Sequence, residues 1–379
     1  MPLSRRKTLA ILGGGFVAAA SGATFAVTRT PEAALAPWAS AGNYSDPRKK
    51  ALSYAILAPN PHNRQPWVVD LGTPDELTLY VDTDRLLPHT DPFSRQIVIG
   101  LGCFLELLSL AAAEDDFTTE TNLFPAGMDS DKLDARPVAR VRFTKGAAAD
   151  PLFQYVMQRR SLKEPFDTTR TVPDNALEDI LRAARATNVQ ASNAATHVSE
   201  LRRLTHNALV IEIETPNTYK ESVDLFRIGQ KEVNANPDGI DFSGPIFETM
   251  HLTRAFTRAS ALDTNSMAFR EGLKAVVANT DTAMAHVWQV TAENTRLDQI
   301  AAGRDWMRLH LAATRHGLGL QPLSQALQEY PEMTDLYREV HQKLAPNGGT
   351  VQMLARLGYG PEVPQSPRWP LEAKLRATG

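Results

Sequence analysis

The chain has 379 residues, 43% of them hydrophobic and 22% charged, with 40 Lys and Arg against 43 Asp and Glu for a formal charge of −3. This balance excludes a largely disordered chain and the basic footprint of a nucleic-acid binder, and the length suits roughly two or three domain-sized units. One cysteine, Cys103, excludes an intramolecular disulfide and a multi-cysteine metal site, and the nine histidines contain no HExxH pattern, so no metal is expected.

The N-terminus carries Ser4-Arg5-Arg6-Lys7 and then a weakly apolar stretch from Thr8 to Val27 that includes Gly13, Gly14 and Gly15. Arg5-Arg6 in this setting resembles a twin-arginine export signal; a plain membrane anchor and a Sec signal are the alternatives. Small residues at Ala34, Ala36, Ala39 and Ala41 offer cleavage positions, so residues 1–41 are expected to be signal and linker. The expected location is exported and periplasmic, or membrane-anchored where the signal stays uncut, with the twin-arginine machinery as partner. That machinery carries proteins already folded, commonly with a cofactor bound.

Lys49 to Leu57 reads as a helix stopped by Pro59 and Pro61, which remove backbone donors and fix φ. Trp67 to Leu71 and Leu77 to Val81 are short β-rich runs around a turn at Gly72-Thr73-Pro74-Asp75, a hairpin. Ser94 to Ala113 sets Ile97, Leu101, Phe104, Leu105, Leu108 and Ala112 at helical spacing, a buried helix with Cys103 inside it as a small hydrophobe. Val138 to Phe143 alternates as a strand, and the small residues of 145–150 mark a boundary. It divides the chain into 42–148 and 149–379.

The second part opens on an expected helix from Leu152 to Arg160, a loop to Pro173 and a helix from Asp174 to Ala186. Residues 216–263 read as an irregular insertion of the kind that forms a lid or an arm. Ala285 to Ala292 reads as a strand, Leu297 to His316 as an amphipathic helix, and Leu318 to Leu323 and Val351 to Leu357 as strands. Helix, strand and long core helix recur in both parts, as in an internal duplication.

Four short elements carry polar chemistry. Ala58-Pro59-Asn60-Pro61-His62-Asn63-Arg64-Gln65-Pro66-Trp67 is a polar loop entering a strand, whose amides suit the edge of a heterocycle or a ribityl chain; it also reads as a plain helix-stop loop. Arg159-Arg160-Ser161 can clamp a phosphate, or complement a helix dipole. Gly317-Leu318-Gly319 leads into Gln321-Pro322-Leu323-Ser324, where glycine lets backbone pass close to a flat ligand or simply caps the helix. Gly358-Tyr359-Gly360 precedes Pro367-Arg368-Trp369-Pro370, in which Arg368 is either a fixed cation or a solvated one in a tail.

In this order, over roughly residues 48–375, these elements resemble the nitroreductase superfamily of flavin mononucleotide (FMN) proteins, and in particular its exported, double-length Acg-like branch. The resemblance implies an α+β fold in which two nitroreductase-like halves form an intrachain pseudo-dimer, a monomer that needs no second chain. It implies that Arg159, Arg160, Ser161 and Arg368 hold the phosphate of FMN. Pro59, Asn60, His62, Asn63 and Gln65 would approach the ribityl chain and ring from the opposite half, with Gln321, Pro322, Leu323 and Ser324 along the ring. No Arg-Arg-Ser precedes the first loop, where Asp46-Pro47-Arg48-Lys49-Lys50 stands, and no Asn-x-Gln-Pro-Trp follows the second half's Arg-Arg-Ser. One complete site is therefore expected where an ordinary family dimer has two.

With no obvious acid or base in the motifs, the cofactor would perform the electron or hydride transfer. The leading expectation is an FMN-dependent oxidoreductase acting on a nitroaromatic, quinone-like or other electron-poor small molecule. Because nicotinamide donors are essentially cytoplasmic, the alternative is a flavin-binding, sequestering protein whose 216–263 insertion lies over the cofactor.

Overall fold

The computed structural model describes residues 30–376; the twin-arginine motif at Arg5-Arg6 and the stretch to Val27 lie outside the described residues. The described chain begins with α1 (Glu32–Ser40) and α2 (Pro47–Ala55), the second started by Pro47 and by the Asp46 carboxylate, which accepts from Arg48 N. Strands β1 (Trp67–Asp70) and β2 (Glu76–Val81) form the expected antiparallel hairpin. Helix α3 (Arg95–Ala113) follows, then β3 (Phe117–Leu123) and β4 (Ala139–Lys145). α3 is long and apolar enough to cross a membrane by length and composition, but it is packed inside the body, with Cys103 1% exposed.

The second half repeats the plan around an insertion. Helix α4 (Asp174–Arg182) leads to β5 (Asn188–Ser192), and the chain then detours through α5 (Ala195–Glu214), α6 (Pro216–Asp224), β6 (Phe226–Ile228), α7 (Gln230–Ala235), β7 (Ile240–Phe242), α8 (Pro245–Leu252), α9 (Arg258–Leu262) and α10 (Met267–Thr280). It returns as β8 (Ala285–Thr291), α11 (Arg296–Arg315), β9 (Gly319–Pro322), α12 (Thr334–Leu344) and β10 (Thr350–Gly358). The two main sheets run β1-β2-β4-β3 and β5-β8-β10-β9, both wholly antiparallel. In each, the long helix lies between the second and third strands, so both halves have the order first, second, fourth, third.

The long helices carry this repetition into sequence. Aligned from Arg95 and Arg296, α3 and α11 share Ile99 with Ile300, Gly102 with Gly303, Leu108 with Leu309, and Leu110-Ala111-Ala112 with Leu311-Ala312-Ala313. Their crossing is reciprocal: a Cβ on Gly102 would run into Ile300 O, and one on Gly303 into Ile99 O. Each opening arginine is planted in the opposite half, Arg95 donating to Gln352 O at 2.6 Å and Leu327 O at 2.6 Å, and Arg296 to Phe93 O at 2.8 Å and Asp129 O at 3.2 Å. One apolar core joins Leu52, Trp67 and Phe104 to Trp306, Leu309 and Leu357. The fold is thus α+β, with two halves of one topology packed as an intrachain pseudo-dimer.

Several expectations are corrected. Leu152 to Arg160 is not a helix but a 3-10 turn at Phe153–Tyr155 followed by further turns: Tyr155 N and Val156 N reach back three residues to Leu152 O and Phe153 O, and Gln158 N and Arg159 N share Tyr155 O, so no run of four-residue bonds builds up. Residues 216–263 are not irregular; they fold into helices and a parallel β6–β7 pair around Val223, Phe226, Ile228, Val233, Phe256 and Ala261. α4 stops at Arg182 because the Asp305 carboxylate draws off the amides of Arg185, Ala186 and Thr187. α11 is buried on nearly every side, Asp305 and His310 included, so it is not amphipathic in the expected sense.

Candidate functional site

After α2 the chain enters the 59–66 loop, where His62, Asn63 and Gln65 all take positive φ of 46°, 50° and 49° without being glycine. Such backbone is strained and holds only where its surroundings over-determine it. Here they do. Asn60 Oδ1 accepts from Gln65 N at 2.7 Å, Lys374 Nζ donates to Gln65 O at 2.7 Å, and the Gln65 amide bridges Pro237 O at 2.6 Å and Trp369 N at 2.9 Å. Gln65 is fully buried, so its side chain braces the loop against the insertion and the C-terminal strap and offers no free amide.

Asn63 points the other way. Its Oδ1 accepts from Arg368 Nη1 at 2.6 Å and its Nδ2 donates to Pro367 O at 3.0 Å. Arg368, 2% exposed, also donates to Leu57 O at 3.1 Å and Ala58 O at 3.2 Å, the carbonyls left open by the end of α2. Arg159, 3% exposed, donates to the same Leu57 O at 3.0 Å from the opposite half. Arg160 is adjacent and half-buried, held by its own neighbours' carbonyls.

Three guanidiniums therefore converge across the two halves, and none of them pairs with a carboxylate among the described residues. The Nε atoms of Arg160 and Arg368 are buried without a partner. Burial and then the neighbouring arginines pull Arg368 down to about 9, burial and then Arg160 pull Arg159 down to about 10, and burial lowers Arg160 as well. Desolvated like charges with donors to spare are unfavourable unless an anion joins them, and planar guanidiniums match phosphate oxygens. His310 adds no charge: its Nε2 faces Arg160 O at 2.8 Å and so carries the proton, Arg159 approaches Nδ1, and burial followed by Arg159 holds it well below the usual imidazole range.

Ser161 lies beside β9, bridging to Leu320, and Leu162 N donates to Leu320 O at 3.0 Å. This places the Arg-Arg-Ser segment next to Gln321, whose Oε1 accepts from the buried Arg356 at 2.6 Å. Pro322 pairs with Ala355, Leu323 is a core residue bonded to Leu354 O, and Ser324 opens a 3-10 turn. Pro59 and Asn60 close the base of the loop, with Asn60 packed on Gly100 of α3. His62 turns toward the insertion, its Nε2 3.0 Å from Ser222 Oγ, and is pushed down to about 4 by burial, Lys163 and Arg64. Asn63, Arg159, Arg160 and Arg368 thus meet in one cluster, Ser161 and Gln321 border it, and Gln65, His62 and Leu323 serve its walls.

Sequence reasoning missed Trp38, the Leu57 carbonyl, His310, and the Ser222 and Glu212 pair behind His62. Residues 30–41, expected as signal and linker, contain α1, and Trp38 on it is 2% exposed against the arginines. No motif flagged a tryptophan in this alanine-rich segment.

The corresponding place in the second half is different. Only Ala183 to Thr187 separate α4 from β5, where Ile56 to Pro66 separate α2 from β1. Arg308 donates to Ala183 O at 2.9 Å, much as Arg159 and Arg368 donate to Leu57 O, but Arg308 also pairs with Glu106 at 3.0 Å and Asp150 at 3.0 Å. Arg304 and Arg185 share those carboxylates. The second half answers its arginines with the protein's own acids.

No family model matches the chain. The Mycobacterium tuberculosis protein named "Putative NAD(P)H nitroreductase acg" is 25% identical over 344 residues, 86% of this chain and 95% of that one. The chain is similar to nitroreductase-like proteins over most of its length. A second M. tuberculosis protein with the same description, Rv3131, is 24% identical over 332 residues, 84% of this chain and 88% of its own. Among solved structures, the FMN-dependent nitroreductase NfnB from Mycobacterium smegmatis in complex with NADPH pairs with 60% of this chain and 98% of its own, at 16% identity and a TM-score of 0.36.

Proposed function

We propose that this protein binds one FMN and acts as an exported oxidoreductase of the nitroreductase type, reducing a nitroaromatic, quinone-like or other electron-poor small molecule. The observation that carries the reading is the acid-free cluster of Arg159, Arg160 and Arg368, two of them buried to within a few per cent, with donors unpartnered. A phosphate monoester fits that donor set better than a neutral ligand, and the full-length relatives carry a nitroreductase name.

In this reading Arg159, Arg160 and Arg368 hold the phosphate, Ser161 lies at its edge, and Asn63 keeps Arg368 aimed. Gln65 and Asn60 fix the loop from the first half, and Gln321 to Ser324 form the wall from the second. Bound FMN supplies the electron or hydride transfer. The chain's own groups bind, orient and exclude water. With Glu106 and Asp150 already pairing the second half's arginines, one flavin per chain is expected. The twin-arginine machinery remains the proposed export partner and the periplasm the proposed location.

One observation favours a second reading, of a protein that keeps flavin without turning it over. The insertion is pinned on the cofactor loop: Gly239 N donates to Asn63 O, Pro237 O accepts from Gln65, and Asp238 binds Arg64, Arg85 and Arg227. Anaerobic addition of NADPH to the flavin-loaded protein separates the two, prompt bleaching supporting the enzyme and none the sequestering protein. Arg159→Ala and Arg368→Ala are each expected to remove flavin from the purified protein; full occupancy in both would refute the site.

A further inference from the structure

Helix α1 packs against the arginine cluster. Trp38 lies beside two of them, with Arg160 Cζ 4.9 Å and Arg368 Cζ 5.7 Å from its ring centre. Its indole N–H donates to Ser366 O at 2.8 Å, and the Arg368 amide donates to Ala34 O at 2.9 Å, so α1 holds the strap that delivers Arg368. On its other side Ala34 N donates to Asn234 Oδ1 at 3.1 Å and Gln230 Nε2 donates to Thr30 O at 2.9 Å, tying α1 to α7 of the insertion.

The choice of residue matters. A carboxylate in this place would pair with the arginines and cancel the field that attracts an anion. An aliphatic side chain would let two like charges move apart. An aromatic face attracts guanidiniums without neutralising them or using their N–H groups. The unpartnered Nε atoms of Arg160 and Arg368 stay available.

We propose that α1 is part of the anion site, with Trp38 as the positioning residue that keeps Arg160 and Arg368 converged on a phosphate monoester, so that the site exists only in a chain retaining residues 30–41. The proposal rests on the flavin reading for its probe. It requires that any processing of the exported chain falls before Thr30 and not at Ala34, Ala36, Ala39 or Ala41.

The test compares FMN with riboflavin, which has the same ring and no phosphate, binding to wild type, Trp38→Leu and Trp38→Phe by flavin fluorescence. Trp38→Leu is expected to weaken FMN about tenfold, equivalent to about 1.4 kcal/mol, with riboflavin unchanged, and Trp38→Phe to stay within about threefold of wild type. Unchanged FMN affinity in Trp38→Leu overturns the proposal, as does an equal loss of FMN and riboflavin, which marks a packing residue only. Should Trp38→Leu fail to fold by circular dichroism, mass spectrometry of the exported, flavin-loaded protein decides: a first residue at or before Thr30 is expected, and any later first residue overturns it. A folded wild type that binds neither flavin defeats the functional reading itself, and with it this proposal.

Discussion

Gln65 and Glu212 show how much of this site is made by residues that touch no ligand. Three left-handed non-glycine residues in the 59–66 loop cost about 1–3 kcal/mol each, and the two-sided Gln65 amide is part of what offsets that strain. Glu212 is a buried carboxyl behind His62, accepting from Gln328 at 3.0 Å and from Ser222 at 3.5 Å, with Glu221, Lys163 and Tyr330 as its charged or titratable neighbours. Burial pushes it up to about 7. The folded state therefore resists ionising it, so its contribution to stability is full in acid and is lost as pH rises from the ordinary glutamate range toward 7. Glu212→Gln is expected to be near wild type at pH 4.5 and more stable than wild type at pH 8, by up to about 3 kcal/mol, in thermal or denaturant unfolding. An equal effect at both pH values would count against this.

At the scale of elements, the α3–α11 crossing is the joint on which both halves depend. Gly303→Ala places a methyl against Ile99 O, and the required shift is expected to destabilise by about 1–3 kcal/mol, read from unfolding of the full chain. Wild-type stability would mean the helices are not seated so closely. The insertion's latch depends on Asp238: burial alone would raise its carboxyl, while Arg227, Arg85 and Arg64 together hold it below the usual carboxylate range. Its grip is present at neutral pH and lost as pH falls through that lowered value. Asp238→Asn is expected to speed hydrogen exchange in 59–65 and 237–240 at neutral pH, and unchanged exchange would remove the latch. The elements with clean periodicity, α3, β2, β4, β8 and β10, were legible because one face or both is apolar. β3, with the sequence Phe-Thr-Thr-Glu-Thr-Asn-Leu, was not, since it is half-exposed along its length and recruits no apolar alternation. The insertion's short helices escaped because their core is a handful of aromatics far apart in sequence.

For the whole molecule, the sequence reveals two halves and one set of motifs, but not how the corresponding place in the second half is filled. Arg159-Arg160-Ser161 and the Asn63 loop were legible as motifs because residue type and order carry them. Trp38 was not, because cation–π contacts with Arg160 and Arg368 leave no trace at fixed spacing, and neither was the pairing of Glu106 with Arg308 across the half boundary. Under the proposed function, two α+β halves build one flavin site per chain from the acid-free arginine cluster, while the corresponding place holds its own carboxylates. The absorbance spectrum of the natively purified protein, calibrated for flavin and protein, gives the flavin ratio. A ratio near one FMN per chain is predicted, and a ratio near two, or protein without flavin, would contradict it.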